Sequence, residues 1–224
     1  MRIPYRGRVL IDGEPFWLAG TNTWILAAER GGRAIVVDAP PDPDGVAELL
    51  ARHDLAPVAL LVTHGHVDHV GGAGAIASRF AVSAYLHPDD EWLAGDPLGQ
   101  LRALWGMIPP GEYEPPTRFE RLDHDAVLAL AGLDLRVIHT PGHTPGHCCF
   151  HVASEGVLFS GDQLFAGSIG RTDLPGGDYD ALMRSMEERI VTLPAETVVF
   201  PGHGPTTTLA RELATNPFLE ELRA

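Results

Sequence analysis

Apolar positions in the first third of this chain come in short runs punctuated by glycine and proline, the pattern of strands and tight turns. Arg8-Val9-Leu10-Ile11 leads into Asp12-Gly13, a hairpin turn signal. Thr23 to Ala27 and Ala34 to Asp38 flank Arg30-Gly31-Gly32 and predict a second turn between strands. The proline-rich stretch Ala39 to Asp44 breaks this pattern. Val46 to His53 then reads as a short helix with Val46, Leu49 and Leu50 on one face. Val58 to Val62 is a continuous apolar run, the mark of a buried strand, and it stops at Thr63-His64. A helix over Val70 to Phe80 and a strand over Val82 to Leu86 complete a strand–helix–strand unit.

Residues 88–118 break the alternation with Pro88, Pro97, Pro109, Pro110, Pro115 and Pro116, and carry Trp92, Trp105 and Tyr113. They read as short helices in an irregular excursion, either a lid over a site or a surface-covering loop. Strands resume at Val127 to Leu130 and Leu135 to Ile138, on either side of Gly132. Cys148 to Val152 and Val157 to Ser160 flank Ser154-Glu155-Gly156 and predict a hairpin. Tyr179 to Leu193 carries Leu182, Met186, Ile190 and Leu193 on one helical stripe. Thr197 to Phe200 predicts a strand and Thr207 to Ala214 a last helix.

The length of 224 residues fits one large α/β domain over 1–224 with a core that needs no disulfide staples. No apolar run approaches the roughly 20 residues of a membrane span. Met1 to Leu10 alternates arginines with apolar residues and lacks a signal-peptide core, so a cytoplasmic location is the expectation. Cys148 and Cys149 are adjacent and form no disulfide framework; in a strand, at most one of them faces the core. The net charge of -14, with every basic residue an arginine, disfavours a phosphate-backbone partner. Eleven histidines are many for this length, and histidine is the commonest metal ligand.

Their spacing carries the strongest signal. Thr63-His64-Gly65-His66-Val67-Asp68-His69 follows the buried strand directly. In extended backbone His64 and His66 point the same way, and Asp68 and His69 stand where a helix begins. Asp68 alone reads equally as a helix N-cap. Three histidines and a carboxylate within six positions suit one or two cations of zinc, iron or manganese. Three later stretches each place one ligand-capable residue beside glycine after an apolar strand. They are Pro141-Gly142-His143, Ser160-Gly161-Asp162 and Pro201-Gly202-His203-Gly204. Each has an ordinary loop reading by itself; together with the first motif they make a set of seven.

In that order, His-x-His-x-Asp-His, then His, Asp and His, the chain resembles the metallo-β-lactamase superfamily, within its glyoxalase II-like hydrolases. Ser168-Ile169-Gly170-Arg171-Thr172-Asp173 resembles the branch shared with persulfide dioxygenases. Gly202 to Thr208 followed by Asn216-Pro217-Phe218-Leu219 resembles the short bacterial members. The resemblance implies an αββα sandwich, two mixed β-sheets flanked by helices, with the site where strand-end loops converge. It implies His64, His66 and His143 on a first metal, Asp68, His69 and His203 on a second, and Asp162 bridging both. Full-length relatives add a C-terminal helical domain that holds glutathione. Only 21 residues follow His203 here, so that domain is not expected.

The implied reaction is hydrolysis of a 2-hydroxyacyl thioester such as S-lactoylglutathione, a small-molecule substrate. Two divalent cations, zinc foremost with iron or manganese as alternatives, generate a bridging hydroxide that attacks the carbonyl. Asp68 is the expected catalytic residue, orienting that hydroxide while it binds metal. The alternative is a persulfide dioxygenase with one iron on His64, His143 and Asp162. Arg171 either reaches a substrate carboxylate or pairs with Asp173. His147 either hydrogen-bonds a ligand or is structural, and His139 reads as structural. Trp105, Tyr113 and Arg118 are candidates to shape an acyl or thiol pocket.

Overall fold

The computed structural model describes residues 7–222, so most of the arginine-alternating start, Met1 to Arg6, lies outside the described residues. The first sheet sets six strands side by side in chain order. These are β1 (Leu10–Phe16), β2 (Thr21–Ala27), β3 (Arg33–Val37), β4 (Ala56–Leu61), β5 (Ser83–Leu86) and β6 (Glu120–Arg121). The pairs β1–β2 and β2–β3 are antiparallel, and from β3 onward the strands are parallel. The expected turn at Arg30-Gly31-Gly32 joins β2 to β3. The turn expected at Asp12-Gly13 does not form. Both residues lie inside β1, with Gly13 opposite Trp24. A Cβ on Gly13 would overlap the Trp24 indole, so this glycine makes room for a core side chain. The chain reverses instead at 17–20, where Trp17 and Gly20 have positive φ.

The second sheet contains β7 (Val127–Leu130), β8 (Leu133–His139), β9 (Cys148–Val152), β10 (Val157–Gly161), β13 (Val198–Pro201) and β14 (Thr207–Thr208). Its spatial order is β14-β13-β10-β9-β8-β7, with β10 and β13 parallel and the other pairs antiparallel. A small hairpin, β11 (Leu164–Phe165) and β12 (Ser168–Ile169), follows β10.

Helices cover both outer faces. Helix α1 (Pro43–Ala51) starts with proline in its first turn and with Asp42 accepting the Gly45 N–H. The helix expected over Val70 to Phe80 is split at Gly71-Gly72 into α2 (Val67–Val70) and α3 (Ala73–Phe80). On the other side lie α6 (Tyr179–Ser185), continued by a π-turn over Met186–Ile190, and α7 (Leu209–Thr215). Three apolar layers result. Ile25, Val36, Leu60 and Ile76 pack between the first sheet and α1/α3. Trp24, Leu26, Phe150, Phe159 and Phe200 fill the space between the sheets. Leu158 and Val199 meet Leu182, Met186, Ile190 and Leu209 on the far side. This is an αββα sandwich.

The alternation of β9 shows the layering. Cys148 belongs to the inter-sheet core and Cys149 to the outer helical one, and both are fully buried. The expectation that at most one faces a core fails because this sheet is covered on both sides. Burial raises the Cys149 thiol to about 12 and pushes Cys148 well above its usual value, so neither is poised as a thiolate.

The excursion holds a single 3₁₀ turn (Pro88–Asp90), α4 (Glu91–Ala94) and α5 (Pro97–Trp105), then irregular chain to β6. Trp105 stacks on Trp17 at 5.0 Å, tying its end to the β1–β2 turn. No helix among the described residues is long and apolar enough to cross a membrane.

Candidate metal centre

Strands β8, β10 and β13 run in one direction, since β9 is antiparallel to both β8 and β10 while β13 is parallel to β10. Their C-terminal ends therefore emerge on one edge and deliver His143, Asp162 and His203. Strand β4 of the facing sheet delivers residues 64–69 to the same edge. All seven side chains singled out in the sequence converge there.

His64 Nε2, His66 Nδ1 and His143 Nε2 form a triangle with sides of 3.0, 2.9 and 3.1 Å. Tetrahedral zinc ligands at ~2.0–2.1 Å stand about 3.3 Å apart, so this spacing suits one cation. Neighbours set which nitrogens carry lone pairs. His143 Nδ1 donates to the Arg171 carbonyl at 2.7 Å. His64 Nδ1 donates to the Thr63 hydroxyl at 3.0 Å, and that hydroxyl donates to Asp38. Burial, reinforced by the neighbouring imidazoles, lowers His66 to about 3 and pushes His64 well below its usual value. Burial also lowers His143 to about 4. Three neutral imidazoles facing one point are a donor set able to hold a cation.

The second group is electrostatically opposite. His69 Nε2 lies 3.2 Å from His203 Nε2 and 3.5 Å from Asp68 Oδ2, and His203 Nε2 lies 3.2 Å from that same oxygen. Burial opposes charge on His69, but Asp162, Asp68 and Asp38 outweigh it and raise the ring to about 10. His203 is raised against its burial by the Asp68 hydrogen bond and by Asp162. Asp68 is held well below the usual carboxylate range by His69 and His203, although burial works the other way. This group draws positive charge.

Asp162 stands between the two groups. Its Oδ1 is 3.3 Å from His69 Nε2, and its Oδ2 is 3.5 Å from His143 Nε2 and 3.6 Å from His203 Nε2. Among the described residues Oδ1 is buried and has no hydrogen-bond partner, the His69 ring at 3.3 Å facing it without bonding it. Such an oxygen is costly unless something positive meets it. The donor set and this unbonded oxygen fit the binding of divalent cations.

Several supporting residues carried no signal in the sequence. Asp38 directly follows β3 in a left-handed conformation, φ 61°, and is buried. It takes the His69 Nδ1–H at 2.8 Å and the Thr63 N–H at 2.7 Å. Strain at a short polar residue beside a site is a common functional mark. Asp90 lies in the excursion and is fully buried. It accepts from Gly65 N at 2.8 Å, from Gly146 N at 2.6 Å and from the Thr144 hydroxyl at 2.6 Å. Gln100 accepts from Val67 N and donates to the Gly65 carbonyl, each at 3.0 Å. Residues 88–105 therefore brace the loop that carries His64 and His66. Thr21 donates to Asp68 at 2.8 Å, and the Asn22 side chain donates to the Pro201 and Gly204 carbonyls on either side of His203.

The remaining candidates sort plainly. His147 is buried, bonds Thr140, and accepts the Asp162 backbone N–H at 3.0 Å, so it orients a ligand's main chain. His139 donates its Nε2–H to the Pro145 carbonyl at 2.8 Å and stacks on His87 at 4.0 Å. The Arg171 fork is occupied by Asp173 through two bonds of 2.7 Å. Tyr113 bonds Pro109, Arg118 pairs with Glu120, and Trp105 packs on Trp17.

An αββα sandwich of two mixed sheets, with His and Asp clusters on the loops of one edge, defines a class of metal-dependent hydrolases. The chain belongs to the metallo-β-lactamase superfamily, whose profile matches residues 17–203. It is 36% identical over 182 residues to the hydroxyacylglutathione hydrolase GloC of Haemophilus influenzae, covering 80% of this chain and 85% of that one. Among solved structures it is similar to the BLEG-1 B3 metallo-β-lactamase, at 37% identity and a TM-score of 0.85. That match covers 94% of this chain and 100% of the other. It is also similar to TTHA1623 in a di-iron-bound form, at 38% identity, a TM-score of 0.82 and coverages of 93% and 100%.

Proposed function

We propose that this protein hydrolyses 2-hydroxyacyl thioesters of the S-lactoylglutathione type to the acid and the free thiol. The observation that carries the reading is the complete double set, two triads joined by Asp162. The likeness to a hydroxyacylglutathione hydrolase points to the thioester. Zinc is the metal proposed, and the same donors accept iron or manganese. When bound, a pair of divalent cations makes water nucleophilic near neutral pH and polarises the carbonyl.

The chain's own residues do the rest. His64, His66 and His143 stay neutral by burial and offer lone pairs on the first side. Asp68, held ionised, has its Oδ2 pinned by Thr21 and His203, and this fixed carboxylate would orient the attacking water. The leaving thiolate has a parent pKa of ~8.5 and departs without a strong general acid. Arg171 contributes its carbonyl, which sets the His143 tautomer.

The test is metal content of protein purified without added metal, followed by a thioester panel. Two metals per chain and turnover of S-lactoylglutathione are expected, with His66→Ala abolishing turnover and leaving circular dichroism unchanged. One iron per chain with oxygen uptake on glutathione persulfide overturns the hydrolase in favour of the dioxygenase. A His66→Ala protein with wild-type turnover overturns the first-site assignment.

A further inference from the structure

A cleft of about 220 Å³ opens beside the first triad, with His66 in its wall. One side comes from the excursion, where Trp92, Leu93 and Leu104 line it. The other is the loop after Arg171, where Leu174 and Pro175 face them. Trp92 is 54% exposed and Leu104 43% exposed, so apolar surface is left open next to a polar centre.

Both walls are fastened to the candidate first-metal ligands. Asp90 and Gln100 tie the α4–α5 side to Gly65 and Val67, which flank His66. The opposite loop starts at Arg171, whose carbonyl holds His143. A Cβ added to Gly176 would stand 2.9 Å from Pro145 Cδ and 3.4 Å from Trp92 Cζ2, so the indole packs against that loop. A group seated in the cleft is thus placed in register with the reacting centre. A second, larger groove between α3 and residues 112–120 includes none of the candidate ligands in its lining.

The charge of the cleft restricts what it takes. Asp96 is the charged residue of its lining, its Oδ1 accepting the Gly99 N–H at 2.9 Å. No arginine among the described residues lines it, and the chain has no lysine. A carboxylate-bearing arm would meet apolar walls and a like charge. An aliphatic arm would bury apolar surface at about 0.8 kcal/mol per methylene, roughly fourfold in binding.

We propose that this cleft selects thioesters with an uncharged apolar arm, on the acyl or the thiol side, over arms that carry a carboxylate. The proposal rests on the thioester-hydrolase reading and narrows its substrate class: if the thiol is the arm that the cleft takes, S-lactoylglutathione, with its two carboxylates, is a slower substrate than a lactoyl thioester of a neutral alkyl thiol. Two series of thioesters test it on the metal-loaded protein. One lengthens the acyl chain from acetyl to octanoyl on the neutral thiol N-acetylcysteamine. The other keeps a lactoyl group and compares neutral alkyl thiols of rising length with glutathione. We expect kcat/KM to climb about fourfold per methylene in one series until the cleft fills. The series that climbs identifies the arm, and Leu104→Asp and Trp92→Ala each remove the climb.

Calorimetric binding of S-hexyl-N-acetylcysteamine, a thioether that cannot be hydrolysed, is the second readout. It should bind wild type at least tenfold more tightly than Leu104→Asp. Rates that stay flat with chain length in both series while thioesters are still hydrolysed overturn the cleft's role. Thioether binding that Leu104→Asp leaves unchanged also overturns it. Failure to hydrolyse any thioester while the thioether still binds through Leu104 refutes the hydrolase reading and leaves the cleft's selectivity standing.

Discussion

Asp90 is held by three donors and sits 0% exposed, yet it belongs to a Pro-Asp-Asp stretch that looks like an ordinary helix start. Its carboxylate joins Gly65, between His64 and His66, to Thr144 and Gly146 beyond His143. An amide there would turn an N–H₂ toward one of those donors. Asp90→Asn should therefore destabilise the fold by about 1–3 kcal/mol. It should also weaken metal retention about 10–100-fold, as loss of a ligand-orienting partner does. Chelator competition on the loaded protein reads the second effect separately from thermal melting. At this scale the histidines and Asp162 were legible because their residue types and spacing are rare together. Asp38, Asp90, Thr21 and Asn22 were not, because each matters only through a partner at least 25 residues away in the chain.

Strand ends place the centre, and glycine keeps it open. A Cβ on Gly202 would overlap Asp162 Oδ1 and the His69 ring, so the turn after β13 admits no side chain. On the proposed two-metal reading, Gly202→Ala should keep native circular dichroism but retain one metal fewer than the wild type, since the clash falls on Asp162 and His69. Metal analysis of the purified variant checks this; two retained metals would refute the crowding argument. Apolar runs located β2, β3, β4, β9 and β10 because a strand buried on both faces writes a continuous hydrophobic stretch. Short pairs such as β11–β12 and β14 leave no such trace, being two residues each. The misplaced first turn has a related cause: Asp-Gly favours a turn locally, but packing of Trp24 over Gly13 outweighs it.

Across the whole molecule, burial of neutral histidines makes stability depend on pH. His87 stacks on His139 and faces Asp89, Arg121 and Asp123, away from the candidate ligands. Burial, with His139 adding to it, lowers its pKa from 6.5 to about 4. Below 6.5 the unfolded chain takes up a proton that the folded chain refuses, so stability falls as pH drops from about 6.5 to about 4. His87→Gln should lose less of its stability between pH 7 and pH 5 than wild type does, measured as urea midpoints; an unchanged difference would remove His87 from the acid response.

The chain alone determined the order of its apolar runs, most of its turns and the seven-residue His/Asp pattern. These are local properties, written in neighbouring positions and in the periodicity of a backbone covered on both sides. Tertiary structure decided the rest. Strand order in two facing sheets put four loops on one edge and set His69 against Asp38, Gly65 against Asp90, and Trp92 across from Leu174. Those pairings depend on which strands lie side by side, and no short stretch of sequence encodes that distance.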